Sequence, residues 1–203
     1  MYALLGAVEW GYEEDGATLL AHLEKIVQYN VQSSDKEKFD GVMLDIEPYI
    51  SDSWKENPEE YMDRYISCMK KGYKFAQKNH LRTAICIPRH YDNQGLTSGL
   101  EELIKETCDE VAVMNYSCGN EIEAIRTEAA LSEKYGKELH CILEFQEVGK
   151  HGLTENKTYR NKGIDNAKET WEKLQKEYKN INVTRDYHWS RPVREMLEEK
   201  NAD

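Results

Sequence analysis

The sequence predicts an α/β protein in which parallel strands and helices alternate in a (β/α) barrel of the TIM type. Short apolar runs alternate six times with longer stretches of helical periodicity, which predicts parallel strands with helices outside them. No glycine-rich phosphate loop follows the first strand, so a doubly wound nucleotide-binding sheet is disfavoured. Polar and aromatic residues follow nearly every strand, at the end where barrel enzymes carry their chemistry.

Six strands are expected, each followed by a helix. The second helix is expected to begin at Asn57-Pro58, with a capping box completed by Glu60, and the last one at Pro192. A loop is expected from about Gly149 to Gly163. The strands are expected at Tyr2 to Leu5, Phe39 to Ile46, Thr83 to Ile87, Glu110 to Tyr116, Leu139 to Phe145 and near Ile181 to Tyr187.

The number of units bears on the completeness of the barrel. A full barrel has eight units in about 250 residues, whereas this chain has 203 residues and six units. We therefore expect a single domain over residues 1–203 that corresponds to strands 3 to 8, without the first two strands. Such a sheet either keeps open edges, through which chains self-associate, or is completed by residues of another chain or of a longer polypeptide.

Charge and composition exclude several partners and cofactors. Lys and Arg number 27 against 38 Asp and Glu, a net charge of −11, which argues against nucleic-acid binding. No apolar run is long enough for a membrane span and no signal peptide is recognisable, so we expect a soluble chain without membrane partners. The five cysteines form no metal-binding pair, which mildly favours a reducing compartment, and no cofactor or metal is expected.

The stretch from Asp40 to Tyr49 contains two acids that strand geometry places on one face. Side chains alternate along a strand, so Met43, Asp45 and Glu47 share a face that points into the barrel. Two carboxyl groups on one buried face repel each other, which favours the protonated form of one of them. The alternative is a structural pair that caps a helix or binds Arg89. The opposite face, expected against the helices, carries Val42, Leu44 and Ile46.

Residues 40–47, with the sequence DGVMLDIE, resemble the fourth-strand motif DGxDxDxE of the chitinase-like glycoside hydrolases, glycosidase family 18, which are (β/α)8 barrels. Residues 113–117, with the sequence VMNYS, are similar to the Met-x-Tyr-Asp motif on the sixth strand of that family. Trp189 stands where a last-strand tryptophan forms the floor of the sugar site.

The resemblance implies a role for each matching residue. Glu47 would protonate the glycosidic oxygen, Asp45 would orient the N-acetyl group of the substrate as the nucleophile, and Tyr116 would help to hold the intermediate. No second protein nucleophile is then needed. Met43 replaces the middle Asp of the motif and Ser117 replaces the Asp after the tyrosine. These departures leave open a catalytically inactive carbohydrate-binding barrel, or a barrel fragment without activity.

Glu144 offers a different arrangement of acids. Alternation along the fifth strand turns His140, Glu144 and Gln146 inward, so that Glu144 could serve as the second carboxylate of an ordinary glycosidase. Such an enzyme is retaining at a carboxylate separation of about 5 Å and inverting at roughly 6.5–9.5 Å. A salt bridge from Glu144 to Arg89 or Arg185 is equally consistent with the sequence.

A carbohydrate substrate or ligand would be bound by residues at the strand ends. Aromatic faces stack on sugar rings, and polar side chains bind hydroxyl groups. An alternative metal site built from Asp186 and His188 with Glu144 or His90 lacks the spacing of a metal motif. The predicted substrate-binding residues are Glu9, Trp10, Arg89, Asn115, Glu144, His188 and Trp189.

Overall fold

The computed structural model describes residues 1–202, with side chains through residue 199. Strands and helices alternate along the chain as the sequence predicts. The strands are β1 (Tyr2–Leu5), β2 (Gly41–Leu44), β3 (Arg82–Pro88), β4 (Glu110–Met114), β5 (Glu138–Glu144) and β6 (Val183–His188). The helices are α1 (Ala17–Gln32), α2 (Asp52–Glu56), α3 (Pro58–Lys78), α4 (Thr97–Thr107), α5 (Glu121–Ala124), α6 (Arg126–Tyr135), α7 (Ile164–Glu177) and α8 (Ser190–Ala202).

The strands form one sheet in chain order, β1-β2-β3-β4-β5-β6. β1 pairs in parallel with β2, and β2 in parallel with β3. β5 pairs in parallel with β6, in a register that places Glu144 opposite His188. The predicted fold class, α/β with parallel strands of the TIM type, is therefore confirmed.

The chain packs as two compact units. Unit 1 contains residues 1–87 and 91–111, and unit 2 contains residues 88–90 and the described chain from residue 112 onward. The expectation that residues 1–203 form one domain stays a prediction. Each unit is described by itself below.

The core of unit 1 lies between the sheet and its helices. In β2, Val42 and Leu44 are fully buried, whereas Met43 is half-buried. This alternation follows from the two-residue period of a strand. α3 packs a buried stripe against this core that includes Met62, Ile66, Met69 and Ala76.

The core of unit 2 gathers around β5. Cys141, Leu143 and Phe145 are fully buried there, and Trp171 of α7 donates its indole N–H to the carbonyl oxygen of Cys141 at 3.1 Å. This bond satisfies the polar edge of a buried ring and ties α7 to the strand.

The predicted capping box at the start of α3 is wrong. The Asn57 side chain makes no capping bond, and Glu60 pairs with Arg64 at 2.6 Å instead. The reason is that α2 directly precedes α3, and the backbone N–H of Asn57 is used to end α2 by donating to Ser53. The capping side chain in this segment is Ser51, whose hydroxyl accepts from the backbone N–H of Trp54 in the first turn of α2.

Two other helix boundaries differ from the sequence expectation. The helical stretch after β4 is divided into α5 and α6, because the Ile125 backbone between them is not helical (φ −125°, ψ 19°). α8 begins at Ser190, two residues before Pro192. No helix among residues 1–202 is both long and apolar enough to cross a bilayer.

Candidate functional site

The acid pair of unit 1 lies just beyond the end of β2. The backbone N–H of Asp45 donates to the carbonyl oxygen of Leu5 at 2.8 Å, which continues the β1–β2 pairing by one residue. Asp45 and Glu47 are half-buried, whereas Ile46 between them is 1% exposed. The strand alternation therefore extends through this segment, with both acids on the side opposite the buried isoleucine.

Gly6 allows β1 to approach this segment closely. A Cβ atom at position 6 would lie 1.9 Å from the carbonyl oxygen of Asp45 and 2.5 Å from its carbonyl carbon. No side chain fits at this separation, so the placement of Asp45 depends on a glycine at the end of β1.

Tyrosines surround the acid pair. The Tyr49 hydroxyl donates to Oε1 of Glu47, and burial together with this carboxylate raises the pKa of Tyr49 well above its ordinary value. Tyr91 packs edge-on against Tyr49, with ring centroids 5.9 Å apart, and stacks on Trp54 at 5.6 Å. This tyrosine cluster gives Glu47 a fixed hydrogen-bond donor.

Tyr65 adds an unsatisfied hydroxyl to the same region. Its side chain is fully buried, and its hydroxyl has no hydrogen-bond partner among the described residues. Burial, and then the nearby Tyr91, Cys86, Cys68 and Asp45, hold the pKa of Tyr65 far above its ordinary value. The hydroxyl of Tyr65 is therefore neutral and buried, and the negative charge of Asp45 contributes to its raised pKa.

Two other predicted residues of unit 1 lie on the short 3-10 turn after β1. Glu9 is exposed, and Trp10 is half-buried. The Trp10 ring packs against His22 of α1, with centroids 4.4 Å apart and planes inclined by 33°. One face of the Trp10 ring, which was predicted to stack on a sugar, therefore packs against His22 within unit 1.

Glu144, in unit 2, is a buried and fully hydrogen-bonded carboxylate. Its residue is 2% exposed. Oε1 accepts from the backbone N–H groups of Phe145 and Gln146, both at 2.7 Å, and Oε2 accepts from Gln146 Nε2 at 3.3 Å and contacts His188 Nδ1 at 2.9 Å. Burial raises the pKa of Glu144, but His188 and the two backbone donors outweigh it, so the pKa lies below its ordinary value.

The partner of Glu144 is therefore His188. The alternative that the sequence left open was a salt bridge from Glu144 to Arg89 or Arg185. Arg185 bonds Gln175 instead, at 3.3 Å. The His188 side chain is 47% exposed, and its ring stacks with Tyr116 at a centroid distance of 6.2 Å and 28° between planes. The peptide bond from His188 to Trp189 is cis.

A second acid–histidine pair follows on the same two strands. His140 Nδ1 lies 2.8 Å from Asp186 Oδ2, and both side chains are mostly buried. The acid is on β6 and the histidine on β5, the reverse of the Glu144–His188 pair. Among the described side chains, no group of three His, Cys, Asp or Glu residues is placed to hold a metal ion.

The other predicted residues of unit 2 are spread over different environments. Asn115 is 1% exposed, and its Nδ2 contacts the carbonyl oxygen of Glu121 at 2.9 Å and Cys141 Sγ at 3.5 Å. Arg89 is half-buried. Trp189 is 45% exposed and borders a cavity of about 130 Å³. The substrate-binding roles of these residues stay predictions.

Sequence reasoning missed the polar cavity beside α5 and α7. It has a volume of about 580 Å³ and is lined by Glu121, Tyr159 and Lys162, among others. The Tyr159 hydroxyl donates to the buried Glu121 carboxylate and contacts Thr170 Oγ1 at 2.7 Å. No local pattern indicates this pairing, because Tyr159 lies in the loop after β5 and Glu121 at the start of α5.

The comparisons place the fold but not the activity. No protein-family profile and no curated protein sequence matches this chain. The chain is similar to dihydropteroate synthase from Anaplasma phagocytophilum, solved with bound 6-hydroxymethylpterin-monophosphate. The TM-score is 0.58 and the identity 11%, over 99% of this chain and 72% of that one. At this identity the likeness shows the fold alone, and the chain is an α/β protein of the TIM-barrel type.

Two structures of catalytic domain 2 of the Ostrinia furnacalis Group II chitinase are similar to a smaller part of the chain. One, an E2180L mutant with bound penta-N-acetylchitooctaose, has a TM-score of 0.43 and 13% identity over 77% of this chain and 49% of that one. The other has a TM-score of 0.41 and 13% identity over 78% and 50%. The chain spans about half of each chitinase structure.

Proposed function

We propose that this chain is a glycoside-hydrolase-like protein that acts on an oligosaccharide or polysaccharide, with Glu47 as the general acid and Asp45 beside it. The observation that carries the proposal is the alternation Asp45–Ile46–Glu47 at the end of β2, with two half-buried acids on one side and a buried isoleucine on the other. Half-buried carboxylates at the carboxyl end of a parallel strand suit acid–base chemistry on a bound ligand.

The hydrogen bond from Tyr49 gives Glu47 a defined orientation. In this state Glu47 accepts a proton in a hydrogen bond and does not donate one. Protonation of a glycosidic oxygen therefore requires protonated Glu47 to turn its hydroxyl to that oxygen, while its other oxygen still accepts from Tyr49. The bond from the anomeric carbon to the leaving oxygen breaks as this proton is delivered.

The remaining roles follow the resemblance to family 18. Asp45 would hold the N-acetyl group whose oxygen attacks the anomeric carbon. The supporting role of Tyr116, which belongs to unit 2, stays an implication of the resemblance. Substrate assistance of this kind needs no second protein carboxylate. This fits Glu144, which is 2% exposed and committed to four hydrogen-bond donors.

The second candidate function is carbohydrate binding without catalysis. It is favoured by Met43, which occupies the middle acid position of the motif and is half-buried beside the pair. Met43 supplies no ionisable group at that position, so the chain lacks the third acid of the motif beside Asp45. This candidate predicts affinity for sugars without turnover.

The test is hydrolysis of a panel of p-nitrophenyl glycosides, N-acetylglucosaminides included, by the parent chain and by Glu47→Gln. Loss of a general acid lowers turnover by about 10²–10⁴-fold, and Gln retains the shape needed to bind. The matched control is Glu60→Gln, because Glu60 lies on α3 in an exposed ion pair with Arg64. The control is expected to keep the parent rate.

The outcomes separate the candidates. A parent that turns over a glycoside while Glu47→Gln retains the same rate overturns the role of Glu47. A folded parent that binds chitooligosaccharides in calorimetry without cleaving any glycoside favours the binding protein. A folded parent that neither binds nor cleaves any sugar overturns both candidates.

A further inference from the structure

The cavity beside α5 and α7 lies entirely within unit 2. Its volume of about 580 Å³ falls in the range of roughly 300–1,000 Å³ that small-molecule sites occupy. The residues that line it, here called the cavity wall, include one buried acid, Glu121, which is 7% exposed. They also include the exposed side chains of Lys162 and Lys173. The cavity therefore offers charges of both signs to a small molecule.

The Glu121 side chain is held through one of its two carboxylate oxygens. Oε1 accepts from the backbone N–H of Gly119 at 2.8 Å and from the Tyr159 hydroxyl. Burial, together with this carboxylate, raises the pKa of Tyr159 well above its ordinary value, so the hydroxyl stays protonated and donates. Oε2 accepts from none of the described residues and is not sealed from solvent. One oxygen of the buried carboxylate is thus left for a ligand.

Glu121 forms no ion pair with any side chain that the structure describes. Glu123, the other acid of α5 on the cavity wall, is exposed and pairs with Arg126. A buried carboxylate loses its hydration, and an opposite charge at close range compensates for that loss. The free oxygen of Glu121 therefore favours a ligand cation that also donates hydrogen bonds, which is what an ammonium group supplies.

The two lysines of the cavity wall indicate a second, anionic group on the ligand. Among the described residues neither lysine forms an ion pair, whereas Lys168, on α7 but outside the wall, pairs with Asp165 at 3.4 Å. A ligand with only an ammonium group would be repelled by both lysines. The wall charges without an ion pair in the described chain are the acids Glu121 and Glu177 and the two lysines. These charges balance, which suits a ligand that carries one charge of each sign.

The backbone that carries Glu121 is fixed by side chains of other elements. Asn115, at the end of β4, donates its Nδ2 to the carbonyl oxygen of Glu121 at 2.9 Å. Tyr178, at the end of α7, donates its hydroxyl to the carbonyl oxygen of Ile122 at 2.6 Å. A wall that is ordered before binding reduces the entropy that a ligand loses in ordering it.

We propose that this cavity binds a small zwitterion of the amino-acid class. Its ammonium group binds Oε2 of Glu121, and its carboxylate group lies at Lys162 and Lys173. The site is separate from the acid pair of Asp45 and Glu47 and does not rest on the function proposed for that pair.

The experiment measures binding to the full chain by calorimetry at pH 7 and low salt, where ion pairs are least screened. The probes are ω-amino acids from glycine to 6-aminohexanoate, which differ in the separation of their two charges. The n-alkylamine and the alkanoic acid with the same number of carbon atoms are the one-charge probes. We expect the best zwitterion to bind at least about tenfold more tightly than either of them, because each retains only one charged contact.

Three variants test the two ends of the site. Glu121→Gln keeps an oxygen that can accept from Gly119 and Tyr159 but loses the charge, and its affinity is expected to fall about tenfold or more. The double variant Lys162→Gln/Lys173→Gln is expected to lose about two- to fivefold, because exposed ion pairs contribute less. The control Glu172→Gln, exposed on α7 outside the cavity wall, is expected to bind like the parent. Urea unfolding checks that each variant is folded.

A second measurement locates the ligand in the unaltered chain. The Gly119 amide donates to the Glu121 carboxylate, so its proton and nitrogen-15 shifts are expected to move on saturation, whereas those of the Glu172 amide stay in place. Absence of binding by every ω-amino acid, equal affinity of Glu121→Gln and the parent, or binding that leaves the Gly119 amide unchanged overturns the proposal. Equal affinity of the double lysine variant and the parent overturns the role of the lysines.

Discussion

Replacement of the Glu144 carboxylate is expected to destabilise the folded chain in a pH-dependent way. In Glu144→Gln the amide oxygen can still accept from the backbone N–H groups of Phe145 and Gln146. The new NH₂ group, however, faces Nε2 of Gln146, which is a donor, and Nδ1 of His188, which can accept from it only when the histidine proton lies on Nε2. The substitution therefore removes two hydrogen bonds to a buried carboxylate, places the new NH₂ group against the Gln146 donor, and leaves the contact with His188 dependent on a change of tautomer.

The expected loss of stability in Glu144→Gln follows from the charge of the carboxylate and from the burial of its partners. A hydrogen bond to a charged group contributes about 1.5–3 kcal/mol. The His188 side chain is 47% exposed, so water replaces part of what is lost. We expect the free energy of unfolding at pH 7 to fall by about 2 kcal/mol, the lower part of that range for one strong bond.

The sign of the pH dependence follows from the direction of the pKa shift. The folded pKa of Glu144 lies below its ordinary value, so the unfolded chain binds the proton first as pH falls. The stabilisation is therefore fully present above about pH 4.3, the ordinary value for glutamate, and is lost as pH falls through the folded pKa. The difference between parent and Glu144→Gln should narrow over the same range.

The measurement is urea unfolding followed by tryptophan fluorescence at pH 7 and at successively lower pH. The matched control is Glu147→Gln, because Glu147 is exposed and its ion pair with Lys150 is a surface contact. The control should unfold like the parent at every pH. Equal stability of Glu144→Gln and the parent at pH 7, or a difference that does not narrow as pH falls below about 4.3, would refute the reasoning.

Two further predictions concern unit 1. Gly6→Ala places a methyl group 1.9 Å from the Asp45 carbonyl oxygen, so the ends of β1 and β2 must move apart. We expect the free energy of unfolding, measured in urea, to fall by more than about 3 kcal/mol. Parent-like stability would contradict this packing. Leu4 is 66% exposed on β1, and we propose that chains self-associate through this strand. Sedimentation should then show less association for Leu4→Lys than for the control variant Val31→Lys. Val31 lies on α1 and is 80% exposed. Equal association of the two variants would exclude β1 as the contact.

The sequence predicted the order of elements and much of their extent. β1 has the predicted bounds, and the other strands differ by a few residues at their ends. Such elements are predictable because hydrophobic periodicity and turn residues act over a few positions. The alternation along β2 was predictable for the same reason, since it depends only on the two-residue period of a strand.

The sequence-based expectations failed or were incomplete where two neighbouring elements share one polar group. The capping box of α3 failed because the backbone N–H of Asn57 ends α2. Asn115, whose substrate-binding role stays a prediction, is buried with its amide bonded to the Glu121 backbone, a contact that the sequence did not indicate. Local sequence does not contain these contacts, because each depends on how neighbouring elements pack.

The sequence by itself determined the fold class, the strand–helix order and the position of Asp45 and Glu47 at a strand end. Only the tertiary structure decided the partners of the acids. Glu144 and His188 are 44 residues apart and meet because β5 and β6 pair in one register. A shift of one residue in that register would turn one of the two side chains to the other face. The geometry of the site therefore depends on strand pairing, a long-range property that local patterns do not specify.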